Sequence, residues 1–133
     1  MEEVEVQIEA EVNPTEDEVR VRRAVENVFS NVQFVLEPLK RGSLLMATTS
    51  GMDALTKFYN LLRRERIRDA ARGVMYKGLT GHSIVFYLNK QVAYAGHISF
   101  SQATGESPLG PIKVQIQCDN PRGIVHWLAP RTV

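Results

Sequence analysis

Seven basic residues lie between Lys57 and Lys77, against two acids, Glu65 and Asp69. Lys57, Arg64, Arg68 and Arg72 are seven, four and four residues apart, so on a continuous helix they share one face. Like charges at that spacing repel by about 0.2–0.5 kcal/mol per pair, and a polyanion relieves the repulsion. The chemistry that fits is the phosphate backbone of RNA or DNA. Arginine outnumbers lysine eleven to five, and its planar fork makes bidentate bonds to phosphate that lysine's point charge does not. Lys77 extends the patch, and Lys90, at what reads as a hairpin tip, adds another cation. Arg63 and Arg66 rank second, being nearer the apolar side. A merely solvated face, an arginine excess that accompanies heat adaptation, or a face paired with acids of the same chain or a second copy has the same composition.

Other chemistry is thinly represented. His82, His97 and His126 have no metal-ligand spacing with one another or with Cys118, the single cysteine. Gly73 and Gly78 have a Walker-like separation with Thr80 at the hydroxyl position, but Leu79 stands where the motif needs lysine, so no phosphate-cradling loop is indicated. Glu9 and Glu11 point the same way from one strand and imitate a carboxylate pair, yet a regular acidic ladder without a pocket reads as solvated surface. Cys118 ends an apolar alternation and reads as a small buried hydrophobe. Among the aromatics Tyr87 is the stacking candidate, while Phe86, Tyr94 and Phe100 fit a core stripe. No recognition module's full motif, neither the octapeptide of an RNA-recognition motif nor a GXXG clamp, is expected. These absences imply no metal, no cofactor and no enzyme.

The elements that position the basic face follow from patterning. With 133 residues, 44% hydrophobic and 23% charged, the chain suits one domain with a core of ordinary size. No apolar run reaches membrane-spanning length and Met1 is followed by acids, so the expected setting is the cytoplasm, which a single cysteine also suits. Residues 1–18 hold eight of the fifteen acids and no base, which polarises the surface. Val4 to Val12 alternates apolar and polar as a half-buried strand. Pro14 stops it, and Thr15 with Glu18 forms a capping box for a helix whose stripe is Val21, Ala24, Val25, Val28 and Phe29. Short strands are expected at Gln33 to Glu37 and Leu44 to Thr49.

A long helix then opens after a cap at Ser50 and Asp53 and runs to about Gly73. Its apolar stripe turns by a quarter between Leu62 and Ile67, which predicts a bend, or a second packing partner, near Arg63 to Arg66. Strands at His82 to Asn89 and Gln91 to Ser101 are expected to form a hairpin pairing Leu88 with Val92 and Phe86 with Tyr94, leaving Val85, Tyr87, Ala93 and Ala95 for a second helix or another subunit. A turn-rich loop over Gly105 to Pro111, a strand at Ile112 to Cys118 and a helical turn at Ile124 to Leu128 complete the order. The expected architecture is α+β: a two-layer sandwich with a largely antiparallel sheet and two main helices on one face, in the order β-α-β-β-α-β-β-β-short α.

Three segments together resemble one family. EAEVNPTEDEVRVRRAVENVF (Glu9 to Phe29), FYLNKQVAYAGHISF (Phe86 to Phe100), and LGPIKVQI with HWLAPRT (Leu109 to Ile116, His126 to Thr132) are similar to archaeal proteins described as predicted RNA-binding proteins or possible exosome subunits. The resemblance covers essentially the whole chain. It implies a fold like that of the ribosomal protein that binds the five-S RNA, and it implies homodimers, a link to RNA processing and no catalytic residues. His97 stands where a basic residue is expected. The combined reading is a cytoplasmic, non-enzymatic RNA-binding accessory protein contacting phosphates through Lys57, Arg64, Arg68, Arg72, Lys77 and Lys90. The alternative is a scaffold subunit whose acidic strand and basic helix mediate dimer or complex assembly.

Overall fold

A computed structural model describes residues 3–102 and 110–131. β1 (Val4–Val12) buries every second residue, as its alternation predicts, and runs antiparallel to both neighbours, β3 (Ser43–Ser50) and β7 (Pro111–Cys118). The sheet order is β2-β3-β1-β7-β5-β4, with β2 spanning Gln33–Pro38, β4 Leu79–Thr80 and β5 Ser83–Asn89; β6 (Phe100–Ser101) also pairs with β5. Every described pairing is antiparallel. The architecture is the expected α+β type, helices packed on a mostly antiparallel sheet.

The core joins the inward residues of the sheet to the helices: Val6, Ile8, Phe86, Val114 and Ile116 below, and Val25, Phe58, Leu62, Met75 and Ile124 above. A column of phenylalanines runs through it, with Phe58 stacked on Phe86 at 5.4 Å between centroids. Such ring pairs contribute beyond the area they bury. The outward residues of β1, Glu5, Gln7, Glu9 and Glu11, are exposed, and Lys113 stands opposite Glu9.

Several local expectations are corrected. α1 (Glu18–Val28) starts from Asp17, whose carboxylate accepts from the Val19 amide at 2.9 Å, not from a Thr15–Glu18 box. The Glu16 carboxylate instead turns back to the Asn13 amide at 3.0 Å. No side chain of Ser50 or Asp53 caps the next segment; Gly51, at φ 87°, leads into a 3-10 turn, Met52–Leu55. The long helix is two helices, α2 (Thr56–Arg64) and α3 (Arg68–Lys77), so the expected bend is a full break. The Arg66 amide donates to Arg63 O and the Ile67 amide to Leu62 O, the paired bonds of a Schellman terminus. Arg66 occupies its left-handed position, φ 57°, where glycine is usual.

The strand expected over Gln91 to Ser101 is mostly helix and turn. Asn89, read as a hairpin residue, is an N-cap: its side-chain oxygen accepts from the Val92 amide at 3.0 Å and opens α4 (Lys90–Tyr94). Asn serves both roles because its short acceptor reaches a nearby amide in either. Phe100, not Val92, therefore faces Leu88. Tyr94, expected in the core, is 37% exposed on α4. The loop expected over Gly105 to Pro111 falls largely outside the described residues. α5 (Pro121–Leu128) begins earlier than expected, with Asn120 accepting from the Gly123 amide at 3.1 Å and Pro121 at its first position.

Candidate nucleic-acid interface

The break at Arg66 divides the basic stripe. Lys57 and Arg64 stay on α2, beside α1 and the turn after α4, where with Asn27, Asn60, Leu61 and Gly96 they line a recess of about 390 Å³. Arg68, Arg72 and Lys77 ride on α3, which packs beside α5. One face of a continuous helix was expected; two separate basic surfaces are found.

Their side chains differ in what already holds them. Lys57 donates to Glu26 O at 2.8 Å, and Arg64 donates to Gly96 O, with Glu65 3.9 Å from its Nε. Both remain largely exposed. Arg72 is the most committed of the α3 cations, 2.8 Å from the Asp69 carboxylate and 3.4 Å from Ala129 O. Arg68 is half-buried and Lys77 exposed, and neither has a carboxylate partner among the described residues. Arg63, Arg66, Arg68 and Asp69 line a second open recess of about 320 Å³.

Arg63 and Arg66, ranked together in the sequence, part company. Arg63 donates to Tyr59 O and Leu128 O at 3.1 Å each, and its guanidinium lies 3.4 Å from the Tyr59 ring centroid. It ties α2 to the end of α5. Arg66 is exposed and has no carboxylate partner among the described residues. A non-glycine residue in the left-handed region costs roughly 1–2 kcal/mol, and such outliers concentrate at functional sites.

Lys90 is corrected outright. Only 3% exposed, its amine donates to Glu11 O at 2.7 Å and to the Glu16 carboxylate at 2.9 and 3.2 Å. A phosphate cannot reach it. Burial pushes the Glu16 carboxyl up, and hydrogen bonds from Asn13 and Lys90 outweigh burial and leave it below its ordinary value of 4.5. Tyr87 is half-buried on the sheet, facing Ser101 and Lys113.

Sequence reasoning missed the contribution of α5. Arg122 and His126 are four residues apart and exposed beside α3, with the Arg122 guanidinium 5.9 Å from the Tyr76 ring centroid. Nothing local marked them, because the pairing of α3 with α5 is long-range. The expectation of no GXXG clamp is also corrected, since Gly78-Leu79-Thr80-Gly81 has that spacing. Both glycines have structural reasons: a Cβ on Gly78 would lie 1.8 Å from Val85 O, and Gly81 has φ 58°. Among the described residues no three or more His, Cys, Asp or Glu stand close enough to hold a metal, and no helix is long and apolar enough to cross a membrane. His97 sits 2.8 Å from Glu65, away from His82, which approaches Asp119 O at 3.3 Å.

Residues 5–118 match a family model described as RNA binding. A UPF0201 protein of Pyrobaculum calidifontis is 44% identical over 128 residues, which is 96% of this chain and 90% of that protein. One from Thermococcus kodakarensis is 42% identical, over 96% of this chain and 91% of its own length. Among solved structures, a UPF0201 protein from Methanococcus jannaschii superposes with a TM-score of 0.86 at 36% identity, covering 97% of this chain and 95% of that one. A DUF54 protein from Methanothermobacter thermautotrophicus shares the fold alone, with a TM-score of 0.66 at 18% identity over 93% of this chain and 96% of its own.

Proposed function

The chain belongs to the archaeal UPF0201 family, with an RNA-binding domain over residues 5–118, and from that premise we propose that it grips RNA phosphates along α3 and the turn before it. Arg66, Arg68 and Lys77 are the primary contacts. Arg72 adds charge while fastening α3 to α5, and Lys57 with Arg64 forms a second contact around their own recess. The reading rests on one observation: Arg66 and Arg68 open onto a recess shared with Arg63 and Asp69, three cations to one acid, and the Asp69 carboxylate is paired with Arg72. Unneutralised guanidinium groups attract a polyanion and release its counterions on binding. The finer assignments belong to the same proposal and rest on the family resemblance. They are an accessory, non-catalytic role in RNA processing, including the exosome, and a cytoplasmic homodimer.

The test is the salt dependence of binding to RNA. Arg66, Arg68 and Lys77 replaced together by Ala are expected to weaken binding about tenfold or more at low salt. The slope of log affinity against log salt should fall by roughly one for each phosphate no longer held. Lys57→Ala with Arg64→Ala should lower the slope less, and Glu9→Gln on the sheet face should leave it unchanged. An unaltered slope in the first variant refutes the assignment to α3.

A further inference from the structure

Tyr76 is 40% exposed on α3, four residues beyond Arg72 and next to Lys77. Arg122 of α5 stands 5.9 Å from its ring centroid, whereas Arg63 lies 3.4 Å from Tyr59, whose ring also meets Trp127 at 4.7 Å. The Tyr59 ring is thus occupied by the protein itself. Tyr76, with Arg122 farther off over its ring, stays 40% exposed beside Lys77.

One turn before Tyr76, Gly73 is exposed in the middle of α3, and a Cβ built on it meets nothing within 4 Å. Glycine there weakens the helix relative to alanine. Neither packing nor backbone conformation asks for it, since its φ is not in the left-handed range. The bare backbone leaves a shelf beside the ring on which a flat group can lie close to the helix.

Tyr94, the other exposed tyrosine, has Arg20 at 5.5 Å, but its recess is also lined by Glu16 and Asp17. That recess carries two carboxylates, whereas Asp69, the acid of α3, is paired with Arg72. Among the described residues, only the Tyr76 ring combines exposure, flanking cations and a bare shelf.

Resting on the RNA-binding reading, we propose that this ridge takes a single-stranded stretch of RNA, with one unstacked base lying on Tyr76 over Gly73 and its phosphates held by Arg72, Lys77 and Arg122. A duplex keeps its bases stacked inside and offers no free face to the ring, so the surface selects single strands.

Fluorescence anisotropy with a short labelled RNA, alone and annealed to its complement, tests this on the full chain. Tyr76→Ala is expected to weaken single-strand binding about tenfold, as stacking on an aromatic ring does, with duplex binding and the salt slope unchanged. Tyr76→Phe should bind like the native protein. Gly73→Leu, whose Cβ meets nothing within 4 Å, should weaken single-strand binding by covering the shelf while thermal stability stays native-like or rises. Single-strand binding within twofold of native in both Tyr76→Ala and Gly73→Leu would overturn the proposal, as would native binding to duplex tighter than to single strand. If Arg66→Ala with Arg68→Ala still weakens binding in that event, phosphate binding survives and only the stacking site is refuted.

Discussion

At Lys90 a cation 3% exposed is held by a backbone carbonyl and a carboxylate, and it joins α4 to β1 and the start of α1. At Arg66 and Arg68 cations of the same sign stand at an open recess whose one acid, Asp69, is paired with Arg72. The first arrangement uses charge to hold the fold, because a buried amine is tolerable only when its protons are taken up. The second leaves charge available to a ligand. Sign and spacing do not separate these cases; the neighbours do.

Breaking the first arrangement has the largest expected effect. Lys90→Met strands the Glu16 carboxylate in a half-closed site and should destabilise the protein by about 3–5 kcal/mol, read as a fall in the urea midpoint. RNA affinity per folded molecule should be unchanged. Adding Glu16→Gln to Lys90→Met should recover part of the stability, since no uncompensated charge then remains. A large loss of RNA affinity in the folded Lys90→Met protein would erase the distinction between the two regions.

A smaller effect is expected from acid. The Glu16 carboxyl sits below its ordinary 4.5 in the fold, so the unfolded chain binds that proton more readily. Its contribution to stability is present above about pH 4.5 and is lost as pH falls through the depressed folded value. Denaturant midpoints measured between neutral pH and pH ~3 should therefore fall more steeply for the native protein than for Glu16→Gln. Equal slopes would show that the pair at Lys90 does not link the fold to pH.

The smallest stability effect, and the sharpest test of the comparison, is Arg66→Gly. Glycine relieves the left-handed strain, and its greater freedom in the unfolded chain offsets part of the gain, so thermal stability should be equal or higher by up to about 1 kcal/mol. RNA binding should weaken and its salt slope should fall by about one. A residue that costs the fold and serves the ligand behaves in this way. A drop in stability would place Arg66 with Lys90 as a structural charge.

Much of the fold was legible. β1 and β7 alternate cleanly because one face of each is buried, and α1 shows its stripe because it crosses the same core. The bend in the basic segment was visible as a quarter-turn in the apolar positions around Ile67. Its form was not, since arginine gives no local hint of a left-handed terminus that glycine normally marks. Asn89 misled for the opposite reason: one residue type caps helices and shapes turns, and the residues next to it do not say which. Of the candidate site, the positive sign and the stretch from Lys57 to Lys77 were readable. The division of that stretch between α2 and α3, and the addition of Arg122 and Tyr76, were not.

Order along the chain by itself determined the half-buried strands, the amphipathic helices, the acidic first strand and the excess of arginine around residues 57–77, because periodicity and composition are local quantities. Only the tertiary structure decided which cations are spent and which are free. Glu16 meets Lys90 across 74 positions and Leu128 meets Arg63 across 65. The availability of a charge depends on the acceptors that folding brings within about 3 Å of it.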